Sequence, residues 1–252
     1  MEEWYHYVLL ALLGLVVGAL NTLAAGGSLL TLPILIFIGL PASVANGTNR
    51  IAVLTQGIAN VAGYKSKGKA IASPFILYLS IIATIGTLIG SKLAIDINET
   101  AFNKILAIVM VLIVIVMLVQ PRIRIDNFEE LITGKRQFWA IVSFFFIGIY
   151  GGFIQAGTGI FVLLVLSTIN HLTLMKSNVI KAVVMVVYTT AALILFGLNG
   201  KLDCEIGLTL ASGQTLGGWL TSRWSVDKGD RIVKILLIVV VIFMSIKLWF
   251  FN

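Results

Sequence analysis

Two glycine-rich motifs interrupt apolar sequence in a way that suits anion binding. They are Ala24-Ala25-Gly26-Gly27-Ser28 and Gln155-Ala156-Gly157-Thr158-Gly159. Glycine lets the backbone turn between two helices, which exposes the N-terminal amides of the second helix, where the helix dipole is positive. Such ends bind anions, and broken helices are common binding elements in transporters. Packing between small residues is the alternative explanation of one break. Two breaks at equivalent places favour a binding site.

A second pair of motifs places one cation after a polar stretch. Asn46-Gly47-Thr48-Asn49-Arg50 and Ser177-Asn178-Val179-Ile180-Lys181 each precede a long apolar run. We expect the polar residues to cap a helix and the cation to lie in its first turn. Each cation could instead extend to the membrane interface, as is common near helix ends. The equivalent positions of the two cations slightly favour a role in a central site.

Acidic residues are absent from all the apolar segments. Proton-coupled carriers usually bury a carboxylate or histidine, and cation sites need acidic oxygen ligands. The polar residues within the segments are instead neutral or cationic, and the neutral ones include Asn21, Thr22, Thr55, Gln56, Asn60, Gln155 and Gln214. This pattern favours an anion as the ligand. One cysteine and two histidines predict neither a disulfide nor a metal site, and no cofactor motif occurs.

The elements that position these motifs must be membrane helices. Hydrophobic residues make up 59% of the chain and charged residues 12%, too few to cover the surface of a soluble protein. Long apolar runs predict helices rather than a barrel. The basic residues form no face with interleaved aromatics, which argues against nucleic-acid binding. The first segment has no basic flank, so we expect no cleaved signal peptide. The apolar segments fall at 5–24, 28–40, 48–63, 72–93, 102–120, 138–153, 158–170, 178–198, 206–223 and 232–250.

The two halves of the chain resemble each other. An offset of 131 residues aligns Arg50 with Lys181 and Gly86 with Gly217. Basic loops at 65–69, 121–137 and 223–231 lie on one side only if each half crosses an odd number of times. We therefore predict an all-α integral membrane protein made of two inverted repeats of about five segments each, with short helices after the glycine breaks. The repeats would be 1–120 and 138–252, joined by a cytoplasmic linker at 121–137, with both termini outside. Whether 28–40 and 158–170 cross fully or re-enter is left open.

These motifs resemble the TauE/SafE sulfite exporter family. The resemblance runs through Gly14-x3-Gly18, residues 23–28, Leu32-Pro33 and 45–49, and continues through 148–159, Lys181 and Ser212-Gly213-Gln214. It covers nearly the whole chain and implies a prokaryotic inner-membrane transporter of sulfite, sulfonates or related organic anions. Ser28 stands where the family often has a third glycine.

The sequence thus favours a secondary carrier of small anions in a multi-pass cytoplasmic membrane location. An anion channel and a non-transport assembly subunit are the alternatives, and no motif supports an enzyme. The partners are a small inorganic or organic anion and the lipid bilayer, and a homo-oligomer is left open. The candidate binding residues are Gly26, Gly27, Ser28, Asn46, Thr48, Asn49, Arg50, Gln155, Gly157, Thr158, Gly159, Asn178 and Lys181.

Overall fold

The computed structural model describes residues 4–24, 27–68, 73–119, 130–224, 241–242 and 244–249. Within these ranges the chain forms helices and connecting turns, which confirms the all-α prediction. The helices are α1 (Trp4–Ala24), α2 (Ser28–Phe37), α3 (Ala42–Ser66), α4 (Pro74–Asp96), α5 (Glu99–Val119), α6 (Gly134–Phe153), α7 (Thr158–Thr168), α8 (Leu174–Leu198) and α9 (Cys204–Trp224). Helical residues at 241–242 and 244–249 fall within the tenth predicted segment.

Helix starts follow local capping chemistry. The Ser73 hydroxyl accepts from the Phe75 amide before α4, and the Thr173 hydroxyl accepts from the Lys176 amide before α8. Each cap satisfies an amide that the helix itself cannot bond. The prediction that the polar stretch 46–50 opens a helix is wrong, because α3 already begins at Ala42 behind Pro41. The same correction applies to Asn178, which lies inside α8 behind its Thr173 cap.

Six long helices pack as a row in the order α1, α9, α3, α8, α4, α6. Exchanging the two halves of the chain maps this row onto itself: α1 against α9 corresponds to α6 against α4. At the centre, α3 and α8 run antiparallel. Arg50 near the start of α3 packs on Phe196 near the end of α8, whereas Tyr64 near the end of α3 clusters with Val179 near the start of α8.

Glycine seams join the two outer helix pairs with their backbones in contact. A Cβ atom at Gly148 would lie 2.3 Å from the Ala83 carbonyl oxygen, and one at Gly14 would lie 2.5 Å from that of Leu210. Gly86 on α4 faces the Phe145 carbonyl of α6, and Gly213 on α9 faces the Ala11 carbonyl of α1. Since α6 and α1 correspond when the halves are exchanged, Gly86 corresponds to Gly213. The sequence alignment of Gly86 with Gly217 is therefore displaced by one helical turn.

Helices α6 and α7 form a hairpin whose two ends lie together. The Leu131 amide donates to the Asn170 carbonyl at 3.0 Å, and the Asn170 side-chain amide donates back to the Leu131 carbonyl at 2.8 Å. Lys176 forms an ion pair with Glu130 beside them. With 11 residues, α7 is about 16 Å long, too short to cross the roughly 30 Å hydrocarbon core.

Four of the described helices are long and apolar enough to span a membrane by length and composition: Trp4–Thr22, Pro74–Asp96, Glu99–Val116 and Leu174–Leu198. Their outward faces carry large apolar side chains; on α4, Leu77, Ile81 and Ile85 are about half exposed. A soluble protein would not leave such a stripe in water, so the exposed stripe indicates a lipid-facing surface.

Candidate functional site

The two glycine breaks meet in the interior. The Gly157 amide donates to the Ser28 hydroxyl at 3.1 Å, which joins the start of α7 to the start of α2. Gly157 has a φ of 71°, a conformation that glycine adopts without strain. Gln155 has a φ of 66°, an uncommon conformation for a residue with a side chain, and its carbonyl accepts from the Thr158 hydroxyl at 2.6 Å. Backbone held in this way is frequent at functional sites.

Protein groups already occupy several of the amides at these breaks. The Asn21 side-chain oxygen accepts from the Ser28 amide at 2.8 Å, and the Gln155 carbonyl accepts from the Thr158 amide at 3.1 Å. With the Gly157 amide bonded to Ser28, three of the expected anion donors have partners. Asn21 thus places a neutral oxygen where the sequence predicted an anion. Because these three amides are already bonded, positive charge available to an anion must come from side chains.

Lys181 lines a small cavity at the junction of the two halves, together with both polar and apolar side chains. The cavity volume is about 30 Å³, and Asn21, Gln56 and Asn60 from the first half line it with Lys181 from the second. Lys181 is 4% exposed, and its Nζ donates to the Asn21 carbonyl at 3.3 Å. Among the described residues no carboxylate pairs with it. The remaining lining residues are Ser28, Val53, Gly57, Gly159, Ala182 and Met185.

Arg50 lies fully buried in a second polar cluster. Its Nη2 donates to the Gly152 carbonyl and, at 3.2 Å, to the Asn46 side-chain oxygen, while its guanidinium lies 4.7 Å from the centre of the Phe196 ring. Neither Nε nor Nη1 has a hydrogen-bond partner among the described residues. Ser91 also donates to the Gly152 carbonyl, at 3.2 Å. Burial of unpaired charged donors is costly, so an additional acceptor at this cluster would stabilise it.

The other predicted residues have mixed surroundings. Thr48 accepts from the Asp203 amide at 2.9 Å, which supports the turn before α9. Asn49 is fully buried, and its side-chain amide has no partner within the described ranges. Asn178 is half-buried, and its side-chain oxygen is also unpaired there. Gly27 packs on α1, where a Cβ would lie 2.5 Å from the Val17 carbonyl oxygen. Gly26 lies outside the described residues.

Sequence reasoning placed Lys181, Ser28 and Gly159 in the candidate site. It left out their cavity neighbours Asn21, Gln56 and Asn60. Gln56 and Asn60 are one helical turn apart on α3 and are 3% and 5% exposed. The Gln56 side-chain amide donates to the Gly18 carbonyl at 2.9 Å, and the Thr22 hydroxyl donates to Asn60 at 3.2 Å. The i, i+4 spacing of two amides in apolar sequence was the available signal, because it places both on one helix face.

The packed apolar helices with an internal polar cavity define a helical membrane protein. The chain belongs to the TauE/SafE sulfite exporter family, whose model matches residues 10–248, and the resemblance seen in the sequence is confirmed. It is 26% identical over 235 residues to a probable membrane transporter protein of Haemophilus influenzae, covering 93% of this chain and 91% of the relative. The probable membrane transporter protein YfcA of Escherichia coli K12 is 25% identical over 231 residues, 92% of this chain and 85% of the relative. No solved structure matches.

Proposed function

We propose that this protein is a secondary carrier of small anions, with sulfite and organic sulfonates as the first candidates, in the cytoplasmic membrane of a prokaryote. The observation that carries the proposal is Lys181, a buried cation without a carboxylate partner among the described residues, at a cavity lined with amides. A carboxylate-free polar cavity with one cation favours an anionic ligand over a cation. The name of the matched family supports an oxoanion of sulfur.

The cavity size favours a carrier over an open channel. The cavity of about 30 Å³ is much smaller than the engineered cavity of about 150 Å³ that binds one benzene molecule, so we expect the surrounding helices to move when an anion enters. Saturable counterflow of labelled sulfite in proteoliposomes is the expected behaviour; flux that rises linearly with concentration and shows no counterflow would indicate a channel.

We also propose that the two halves are inverted repeats with the basic loops in the cytoplasm. The antiparallel pairing of α3 with its counterpart α8 supports this arrangement, because parallel repeats would align these helices in the same direction. The row of helices, which maps onto itself when the halves are exchanged, supports a common origin of the halves. On this scheme the short helices α2 and α7 follow the glycine breaks and bring them together at the centre.

The test of the ligand is anion binding to the purified protein. Sulfite or methanesulfonate should raise the unfolding temperature, whereas choline should not. Lys181→Gln should weaken sulfite binding by about 1–3 kcal/mol, which is about 5–150-fold, because it removes a charge-assisted hydrogen bond. Lys176→Gln is the matched control: it removes the same charge five residues earlier on α8, at an exposed position. Equal affinities in both variants and the wild type would exclude Lys181 from the site.

A further inference from the structure

The two cations occupy equivalent places in the repeats but opposite ends of the central helix pair. Arg50 packs on Phe196 at one end of the antiparallel α3–α8 pair, and Lys181 shares its cavity with Asn60 towards the other end. Arg50 and Asn60 are ten residues apart on α3, which corresponds to about 15 Å along the helix. This separation is about half of the roughly 30 Å hydrocarbon core. None of the three groups that contact Arg50, which belong to Asn46, Gly152 and Phe196, lines the Lys181 cavity, so the two cations lie in separate clusters.

The crossing of the glycine breaks lies next to both cation clusters. Ser28, which accepts from the Gly157 amide, lines the Lys181 cavity together with Gly159. On the other side, the position of a Cβ at Gly151 lies 3.2 Å from the Thr158 side chain and 3.5 Å from the Tyr188 ring. The carbonyl of the next residue, Gly152, accepts a hydrogen bond from Arg50. The start of α7 therefore connects the surroundings of the two cations.

The two clusters differ in access. Lys181 faces the cavity of about 30 Å³, whereas Arg50 is fully buried beneath Phe196 and the end of α6. Arg50 nevertheless keeps two unpaired donors, Nε and Nη1, among the described residues. A guanidinium presents its donors as a planar fork that matches two oxygens of one oxoanion, whereas an ammonium acts as a point charge. Both clusters are therefore suited to an anion, and the Lys181 cluster lines a cavity.

We infer that the carrier has two anion stations, one on each side of the crossing of the breaks, and that the anion passes from one to the other during transport. This inference rests on the proposed function. Lys181 forms the station that serves the face at the Lys65 end of α3, and Arg50 forms the station that serves the opposite face. Arg50 selects oxoanions, because its unpaired donors need more than one acceptor oxygen.

The experiment measures the half-saturation concentration for methanesulfonate separately at each face of the protein in proteoliposomes. Labelling from one side of the membrane establishes how the protein is oriented. Lys181→Gln should raise the half-saturation concentration at least about fivefold at the face served by Lys181 and leave the opposite face within about twofold. Arg50→Gln should show the reverse pattern. The double variant should match each single variant at its own face, because sites this far apart act independently.

Equal shifts at both faces in both variants would overturn the two stations and indicate one shared site. If a glutamine variant does not fold, Lys181→Arg and Arg50→Lys replace it, because they keep the positive charge. Each should raise the half-saturation concentration less than the glutamine variant does, and only at the same face. If these two variants change the half-saturation concentration equally at both faces, the inference is overturned as well. A wild-type protein whose unfolding temperature no anion changes would refute the proposed function itself, which separates that failure from failure of the two-station inference.

Discussion

Methionine in place of Arg50 is expected to make the protein more stable while weakening anion uptake at the face that Arg50 serves. The guanidinium has two hydrogen bonds, to Gly152 and Asn46, each worth about 1.5–3 kcal/mol for a charged donor. Its contact with the Phe196 ring adds about 2 kcal/mol when desolvated. Opposing these terms are two unpaired buried donors, at about 1–3 kcal/mol each, and desolvation of a full charge, at several kcal/mol.

Because no carboxylate among the described residues would lose its partner, Arg50→Met leaves no buried counter-charge exposed to the apolar interior. We expect a gain of up to about 4 kcal/mol, the upper end of the range seen when buried ion pairs are replaced by apolar side chains of similar volume. In a chain of this size, each kcal/mol raises the unfolding temperature by about 2–4 °C.

The assay is thermal unfolding of the purified protein in detergent, with a large organic anion as the only buffer anion. Arg223→Met is the matched control, since its guanidinium also lies 4.7 Å from an aromatic ring but is exposed; we expect a change within about 1 kcal/mol. A fall in the unfolding temperature of Arg50→Met would refute the reasoning, because Arg50 would then be a structural link between α3 and α6. An unchanged half-saturation concentration for methanesulfonate at the face that Arg50 serves would equally exclude it from the site.

Three further predictions concern topology, the break and the seams. Single cysteines at Lys67 and Lys228, in a cysteine-free background, should both react only from the cytoplasmic side; opposite sidedness would favour parallel halves. Gly157→Val should abolish transport without preventing insertion, because it places a β-branched residue at a φ of 71° and a Cβ atom 2.7 Å from Ile113; normal uptake would assign the glycine to dispensable packing. Gly148→Leu should lower the unfolding temperature, because the new side chain collides with the Ala83 backbone. Gly197→Ala should not lower it, because the added Cβ meets only the end of the Leu202 side chain. Equal unfolding temperatures in the two variants would contradict a tight seam.

The apolar helices could be predicted because they depend on the composition and length of apolar runs along the chain. The helix starts were less predictable: α3 begins at Ala42 rather than at the polar stretch, since Pro41 and tertiary packing determine its first turn. The correct alignment of α4 with its counterpart α9 could not be read from the sequence, because shifting the alignment by one helical turn still places glycine on glycine.

The division of the predicted site into two clusters also escaped the sequence. Equivalent positions in two repeats say nothing about distance until the relative direction of the helices is known. Likewise, the amides at the breaks were expected to be free, but Asn21 reaches the Ser28 amide from the end of α1. Side-chain contacts between distant segments determine such details, and no local pattern encodes them.

The glycine seams have a mechanical consequence for how such a carrier moves. Each tightly joined pair, α1 with α9 and α4 with α6, combines one helix from each half of the chain. Relative motion of the two halves would have to pull apart both seams, where backbone lies directly on backbone. In the proposed carrier, the units that move relative to each other would therefore be the mixed pairs, each of which contains one helix from each half of the chain. The α3–α8 interface, where Gly57 meets a methyl group of Val186 rather than backbone at close range, would then be the hinge.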